Sequence, residues 1–142
     1  RFIARFLAGE PVSIQGGDQV FDFMDVRDAA RALIVVALAG PPEGSAALNI
    51  GSGAPRTLRD IAQTVADVVR THTEHEPRID WEPSAGDDRT LGLDSGLLRR
   101  EYDFAPRHTL EDSALNILQA MTTPQVTSVR ETPTGPDTGG RR

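Results

Sequence analysis

Few residues in this 142-residue chain carry reactive side chains, and their types narrow the chemistry at once. There is no cysteine and no lysine, so thiolate nucleophiles, cysteine-ligated metals and amine bases are all excluded. His72-Thr-Glu-His75, with Glu74 and Glu76 beside it, has two histidines three apart that can share a helix face and hold a metal. The segment nevertheless precedes Pro77 in a polar stretch and shows no third fixed ligand, so a solvated loop is the better reading and no metal is assigned. His108 reads as a lone loop residue. All 15 basic residues are arginines, whose planar fork suits a diphosphate. Asp87-Asp-Arg89 sets one such arginine beside two carboxylates, and it reads equally as a polar loop in water.

The composition, 38% hydrophobic and 25% charged, is that of a globular protein able to build one core. A net charge of -6 argues against a sequence-blind nucleic-acid binder, which carries a basic stripe, so any phosphate must be held by a few local groups. No apolar run approaches the roughly 20 residues that span a bilayer, and no secretory leader is apparent, which makes a cytoplasmic protein without a membrane partner the expectation. The chain opens without Met on Phe2, Ile3, Phe6 and Leu7, already one apolar helix face, and is expected to start within a domain. Residues 122–142, rich in Thr, Pro and Gly, are expected to be a disordered tail after a domain spanning residues 1–121.

The elements that must position any site follow from periodicity and punctuation. The first helix should close at Gly9 and Pro11. Val12-Ser-Ile14 and Val20–Val26, joined through Gly16-Gly17-Asp18, suggest a hairpin. Asp28 can cap a helix to Ala39 so apolar that it should be buried. Ala47-Leu-Asn-Ile50 reads as a buried strand ending at Gly51-Ser-Gly53. Thr57-Leu-Arg-Asp60 is a capping pattern ahead of the stripe Leu58, Ile61, Ala62, Val65, Val68 and Val69. Strands are expected at Arg78–Trp81 and Thr90–Leu93, a short helix from Asp94-Ser95 to Tyr102, and a last helix opened by Thr109-Leu-Glu-Asp112. Alternating strands and helices make an α/β chain, with too few long buried strands for a complete doubly wound sheet. Part of that sheet is expected to come from elsewhere.

The order of these landmarks resembles the extended short-chain dehydrogenase/reductase family, the NAD-dependent nucleotide-sugar epimerases and dehydratases. Gly17-Asp-Gln-Val-Phe-Asp-Phe-Met-Asp-Val-Arg-Asp-Ala-Ala-Arg-Ala-Leu33 resembles G-D-G-x-Q-x-R-D-F-x-x-V-x-D-x-A-x-A. Leu48-Asn-Ile-Gly-Ser-Gly53 is similar to the N-x-G-S-G strand and loop. Ala85-Gly-Asp-Asp-Arg89, Leu93-Asp94 and Arg99-Arg-Glu-Tyr-Asp-Phe-Ala-Pro106 look like P-G-(D/H)-x-R, a spacer, and D-x-S-K-x-x-x-E-L-G-(W/F)-x-P. Thr109-Leu-Glu-Asp112 matches the S-L-E-E-G-L opening of the last helix. Each motif is short, but four in one order are specific.

The resemblance implies the C-terminal part of a Rossmann-type enzyme, with a small lobe that binds the nucleotide diphosphate of a sugar substrate. It implies NAD(P) in the full-length enzyme, held by an N-terminal half with a G-x-x-G-x-x-G turn, and a homodimer formed through that half. Neither that turn nor the family's Tyr-x-x-x-Lys pair is present; Tyr102 is followed four residues later by Pro106, so no catalytic residue is assigned and Tyr102 is read as packing beneath the short helix with its hydroxyl at the surface. By the same resemblance Arg89 falls where dehydratases keep a phosphate-binding arginine, Asp87 where epimerases keep a carboxylate on the ribose, and the backbone of Ser13 and Gln15 on a strand that lies along the base. Asn49 is a further candidate, whose amide alternatively ties the strand end to a neighbouring loop.

Departures accompany the matches. Phe21 stands in place of the arginine of R-D-F, Ser84 in place of an arginine before P-G-D, and Gln15 in place of a common aromatic. Arg27, Arg31 and Arg56 could compensate, although such residues are commonly solvated. A binding module without catalysis, or an inactive remnant, are therefore the alternatives to an enzyme fragment.

Overall fold

The computed structural model describes residues 1–42, 44, 47–84, 86 and 90–123. Arg89 and Asp87 lie outside them, as does the expected tail from residue 124 onward. The elements are α1 (Phe2–Leu7), β1 (Val12–Gln15), β2 (Val20–Phe21), α2 (Val26–Ala39), β3 (Arg56–Thr57), α3 (Leu58–His72), β4 (Ile79–Glu82), β5 (Thr90–Leu91), α4 (Gly96–Tyr102) and α5 (Leu110–Thr122). They form an α/β arrangement with two small sheets, one pairing β1 with β4 in parallel, the other ordered β3-β2-β5.

Helix α3 organises the larger core. Thr57 accepts from the Asp60 backbone at 3.0 Å, and the stripe that begins behind this cap buries Ile61, Ala62, Val65, Val68 and Val69. Against it pack Ile3 and Phe6 of α1, Val12 and Ile14 of β1, and Ala114 and Leu118 of α5. Thr109 and Asp112 form the reciprocal capping box that starts α5. In β1 the burial alternates with the pleat, so Val12 and Ile14 face inward while Ser13 and Gln15 are exposed.

The expected hairpin does not form. Val12 N–H donates to Arg78 O and Gly16 N–H to Glu82 O, which gives β1's inner ladder to β4. Gly16 and Gly17, at φ 70° and 118°, then turn the chain onto the start of α3, where Gly17 O and Gln19 O accept from Arg59 and Leu58 backbone N–H groups at 2.8 Å. A Cβ on Gly17 would lie 3.0 Å from the Trp81 ring, so this approach also excludes side chains. Strand β2 pairs instead with β3 and β5 and ends at Phe21, short of the expected Val26.

Two further expectations are corrected. Asp25, not Asp28, caps α2, accepting from the Arg27 backbone at 2.8 Å, and Asp28 sits one turn inside, fully buried. The helix itself is not buried: Leu33, Ile34 and Leu38 are 60%, 59% and 84% exposed, because nothing among the described residues covers their face. Residues 47–50 form no strand, since no described segment pairs with them, although Leu48 and Ile50 pack against the second, smaller core of Ala32, Leu98 and Phe104. No helix among the described residues is long and apolar enough to cross a membrane.

Candidate functional site

Parallel pairing fixes which peptide groups of β1 are spent. Val12 and Ile14 turn their N–H and C=O groups toward β4, as Gly16 does its N–H, so those of Ser13 and Gln15 point to the opposite side. On that side, among the described residues, the Gln19 amide donates to Gln15 O at 3.2 Å, and nothing bonds the Ser13 peptide groups. The side chains are engaged separately, both donating to the Glu82 carboxylate. Arg59 steadies this end of β1: its guanidinium stacks 4.1 Å from the Trp81 ring centroid and donates to Gly16 O at 3.2 Å.

Asn49 is placed differently. Its amide donates to Asp94 O at 3.2 Å, tying the end of its segment to the loop before α4, which is the structural alternative of the two readings. Tyr102 is half-buried and its hydroxyl donates to Gly40 O at 2.7 Å, closing the C-terminus of α2 rather than reaching water alone. The structure thus brings Ser13 and Gln15 together on one edge and leaves Asn49 in a structural contact.

Three acids that the sequence reading did not single out as site residues organise the rest. Asp22 accepts from Ser52 N–H at 2.9 Å, from the Ser52 hydroxyl and from Gly53 N–H at 3.3 Å. The loop is so close that a Cβ on Gly51 would lie 2.6 Å from Asp22 Oδ2. Asp25 takes a bidentate grip from Arg27, at 2.8 and 2.9 Å, and a bond from the Ser113 hydroxyl at 2.6 Å. The Arg27 side-chain bonds hold the Asp25 carboxyl well below the usual carboxylate range, outweighing its burial. For Asp28, burial pushes upward, and Arg31 with the backbone N–H groups of His108 and Arg107 overcomes it, so this carboxyl too is held far down. His108 Nδ1 lies 3.0 Å from Asp28 Oδ2, which makes it part of a cluster rather than a lone loop residue. The legible signals were the V-x-D spacing of Val26 and Asp28, and the position of His108 immediately before the Thr109 cap.

Between these clusters lies a cleft of about 180 Å³ lined by Phe21, Phe23, Arg56, Ile61, His108 and Leu110, with Ser52, Ala54, Pro106 and Thr109 completing its wall. Phe21 and Phe23 meet edge to face at 6.0 Å.

Comparison with known proteins agrees with this architecture. The sequence model of the NAD dependent epimerase/dehydratase family matches residues 1–51. The dTDP-glucose 4,6-dehydratase of Salmonella typhimurium is 32% identical over 115 residues, covering 77% of this chain and 31% of that protein; the Escherichia coli dTDP-glucose 4,6-dehydratase is 30% identical over the same length. The chain therefore spans about a third of the length of the curated relatives it matches. Among solved structures, MoeE5 in complex with UDP-glucose and NAD superposes with TM-score 0.67 at 30% identity, covering 85% of this chain and 40% of that one. The Thermotoga maritima UDP-glucose 4-epimerase with UDP-glucose gives TM-score 0.67 at 26% identity, over 84% and 37%. In sequence along most of its length and in fold, the chain matches these enzymes of the NAD-dependent epimerase/dehydratase family.

Proposed function

We propose that this chain is the C-terminal, substrate-binding portion of a nucleotide-sugar epimerase or dehydratase and holds the nucleotide diphosphate of the sugar substrate. The observation that carries the reading is the outward side of β1. The Ser13 C=O and Gln15 N–H are an acceptor and a donor two residues apart on an exposed edge, the complement of the imide edge of a uracil or thymine ring. Ser13 and Gln15 hold the base through their backbone, Arg89 neutralises the diphosphate, and Asp87 accepts from the ribose hydroxyls. Asn49 has at most an indirect part, through the loop it fastens.

In this reading the cofactor is held by residues beyond these 142. Gly51-Ser52-Gly53 leads toward α3, yet two of its N–H groups already serve the Asp22 carboxylate, and a second anion does not fit there. With neither lysine nor a Tyr-x-x-x-Lys pair in the sequence, the reacting groups also lie elsewhere. NAD held there would supply reversible hydride transfer at the sugar ring. The exposed face of α2 supports the same reading, since Leu33, Ile34 and Leu38 form an apolar stripe that needs cover.

Calorimetric titration of the chain with UDP-glucose and dTDP-glucose, beside NAD, tests the proposal. Micromolar binding of a nucleotide sugar that is lost in Arg89→Ala, with no response to NAD, is the expected result. Binding of neither sugar nucleotide, or binding unchanged in Arg89→Ala, would overturn the assignment.

A further inference from the structure

The cleft between the loop at residues 52–56 and the start of α5 has a chemistry that the nucleotide reading leaves unused. Its floor is apolar, formed by the edge-to-face pair Phe21 and Phe23 with Ile61 and Leu110. Its polar groups are few and directional. Asp28 accepts from Arg31 at 2.8 Å and from the backbone N–H groups of Arg107 and His108 at 2.9 and 2.8 Å, an arrangement that holds it as a carboxylate. A carboxylate only accepts, so the 3.0 Å contact with His108 requires the proton on Nδ1. With Nδ1 so engaged, Nε2 is the ring nitrogen left for a ligand, at the opposite edge of a ring that lines the cleft.

Arg56 gives the cleft its charge. It is exposed on β3, directly opposite Phe21 in the sheet register, and no acidic side chain stands among the described lining residues. An anion is favoured there, and a planar carboxylate matches the two parallel N–H groups of one guanidinium. The volume selects further. At about 180 Å³ the cleft is smaller than the roughly 300 Å³ at which drug-sized ligands begin, which suits one six-membered ring with its substituents and not a sugar nucleotide.

We propose that this cleft binds a small hydroxylated aromatic carboxylate. The ring packs on Phe21 and Phe23, the carboxylate pairs with Arg56, and the hydroxyl donates to His108 Nε2. Three independent features converge on that class: the paired rings, the one arginine among the described lining residues, and an imidazole whose tautomer is set by a buried acid. The inference does not depend on a nucleotide at β1.

The test is a titration of the 142-residue chain, followed by backbone NMR shifts, with 4-hydroxybenzoate, 4-hydroxybenzyl alcohol, benzoate and inorganic phosphate, and with UDP-glucose in parallel samples. Saturable binding of 4-hydroxybenzoate that shifts residues of the 52–56 and 106–110 segments is expected. Removing the carboxylate from the ligand, or Arg56→Gln from the protein, should each weaken it about ten-fold, the scale of one charge-assisted pair. Benzoate should bind more weakly than 4-hydroxybenzoate to the wild type and equally in His108→Phe. Because His108 also braces Asp28, Phe23→Ser provides a second variant at a side chain 57% exposed, and it should weaken the hydroxybenzoate while leaving the fold intact. No saturable binding of 4-hydroxybenzoate, affinity unchanged in both Arg56→Gln and Phe23→Ser, or phosphate binding as tightly as the aromatic acid would overturn the proposal. UDP-glucose binding without hydroxybenzoate binding overturns this inference alone, and the reverse pattern overturns only the nucleotide reading.

Discussion

Asp28 and His108, 80 positions apart, meet twice: Asp28 Oδ2 accepts from the His108 backbone N–H at 2.8 Å and lies 3.0 Å from its Nδ1. The same oxygen accepts from Arg107 N–H at 2.9 Å, so one carboxylate fastens the segment before α5 to the first turn of α2. Asp28→Asn keeps the shape and removes the charge, leaving Arg31 without its ion-pair partner. We expect a loss of about 2–4 kcal/mol in denaturant unfolding, the range for breaking a buried, hydrogen-bonded pair.

The same acids set the acid limit of stability. Asp25 and Asp28 are both depressed in the folded chain, so the stability they contribute is fully present above the unfolded carboxylate value of about 3.9 and is lost as pH falls below it toward their native values. Unfolding free energy measured from pH 7 to pH 3 should therefore hold steady at first and fall steeply below about pH 4. In Asp25→Asn the fall should be shallower, from a lower starting value.

Gly51 is fixed by its neighbour rather than by its backbone angles. A Cβ there would lie 2.6 Å from Asp22 Oδ2 and 3.0 Å from Leu93 Cβ. Gly51→Ala should cost about 1–3 kcal/mol, as overpacking does. In a double-mutant cycle with Asp22→Ala the two losses should sum to more than the double variant shows, because the second change vacates the space the first one needs.

Leu38 is 84% exposed and Ile34 59% exposed on α2. Replacing both with Glu should change the unfolding free energy of the isolated chain by about 0.5 kcal/mol or less, and should reduce its self-association in sedimentation. A large loss of stability would mean that this face packs on something within the chain.

Protection should differ between the two cores. The larger buries residues from α1, β1, α3 and α5, whereas the smaller rests on Ala32, Leu98 and Phe104. Amide exchange in α3 should accordingly be slowest, and exchange in α2 and α4 faster, with a broad melt below the roughly 60 °C of an intact mesophile domain.

What could be read from the sequence was what short-range chemistry encodes. Thr57 and Thr109 each sit three residues before an acid at the head of an apolar stripe, and both helices begin there. The Gly16-Gly17 turn was also legible, but not what followed it, since a pair of glycines permits a hairpin and a departure equally, and β4 decided between them from far along the chain. Asp25 and Asp28 both have capping chemistry at a spacing of three; the partners that sort them, Ser113 and His108, lie more than twenty helical turns of sequence away and leave no local trace. Asn49 had two readings, and the bond from its amide to the Asp94 carbonyl is formed across 45 residues that its local sequence does not reveal.

Strands β1 and β4 pair across a separation of 67 residues at Gln15 and Glu82, a long wait for a sheet contact. Closing such a loop costs entropy that local helices do not meet, so α3 and α5 can dock before this parallel pair zips. The outward edge of Ser13 and Gln15 is then among the last surfaces to take shape during folding, and changes in the segment between the strands should act on how quickly that edge appears before they act on how well it holds.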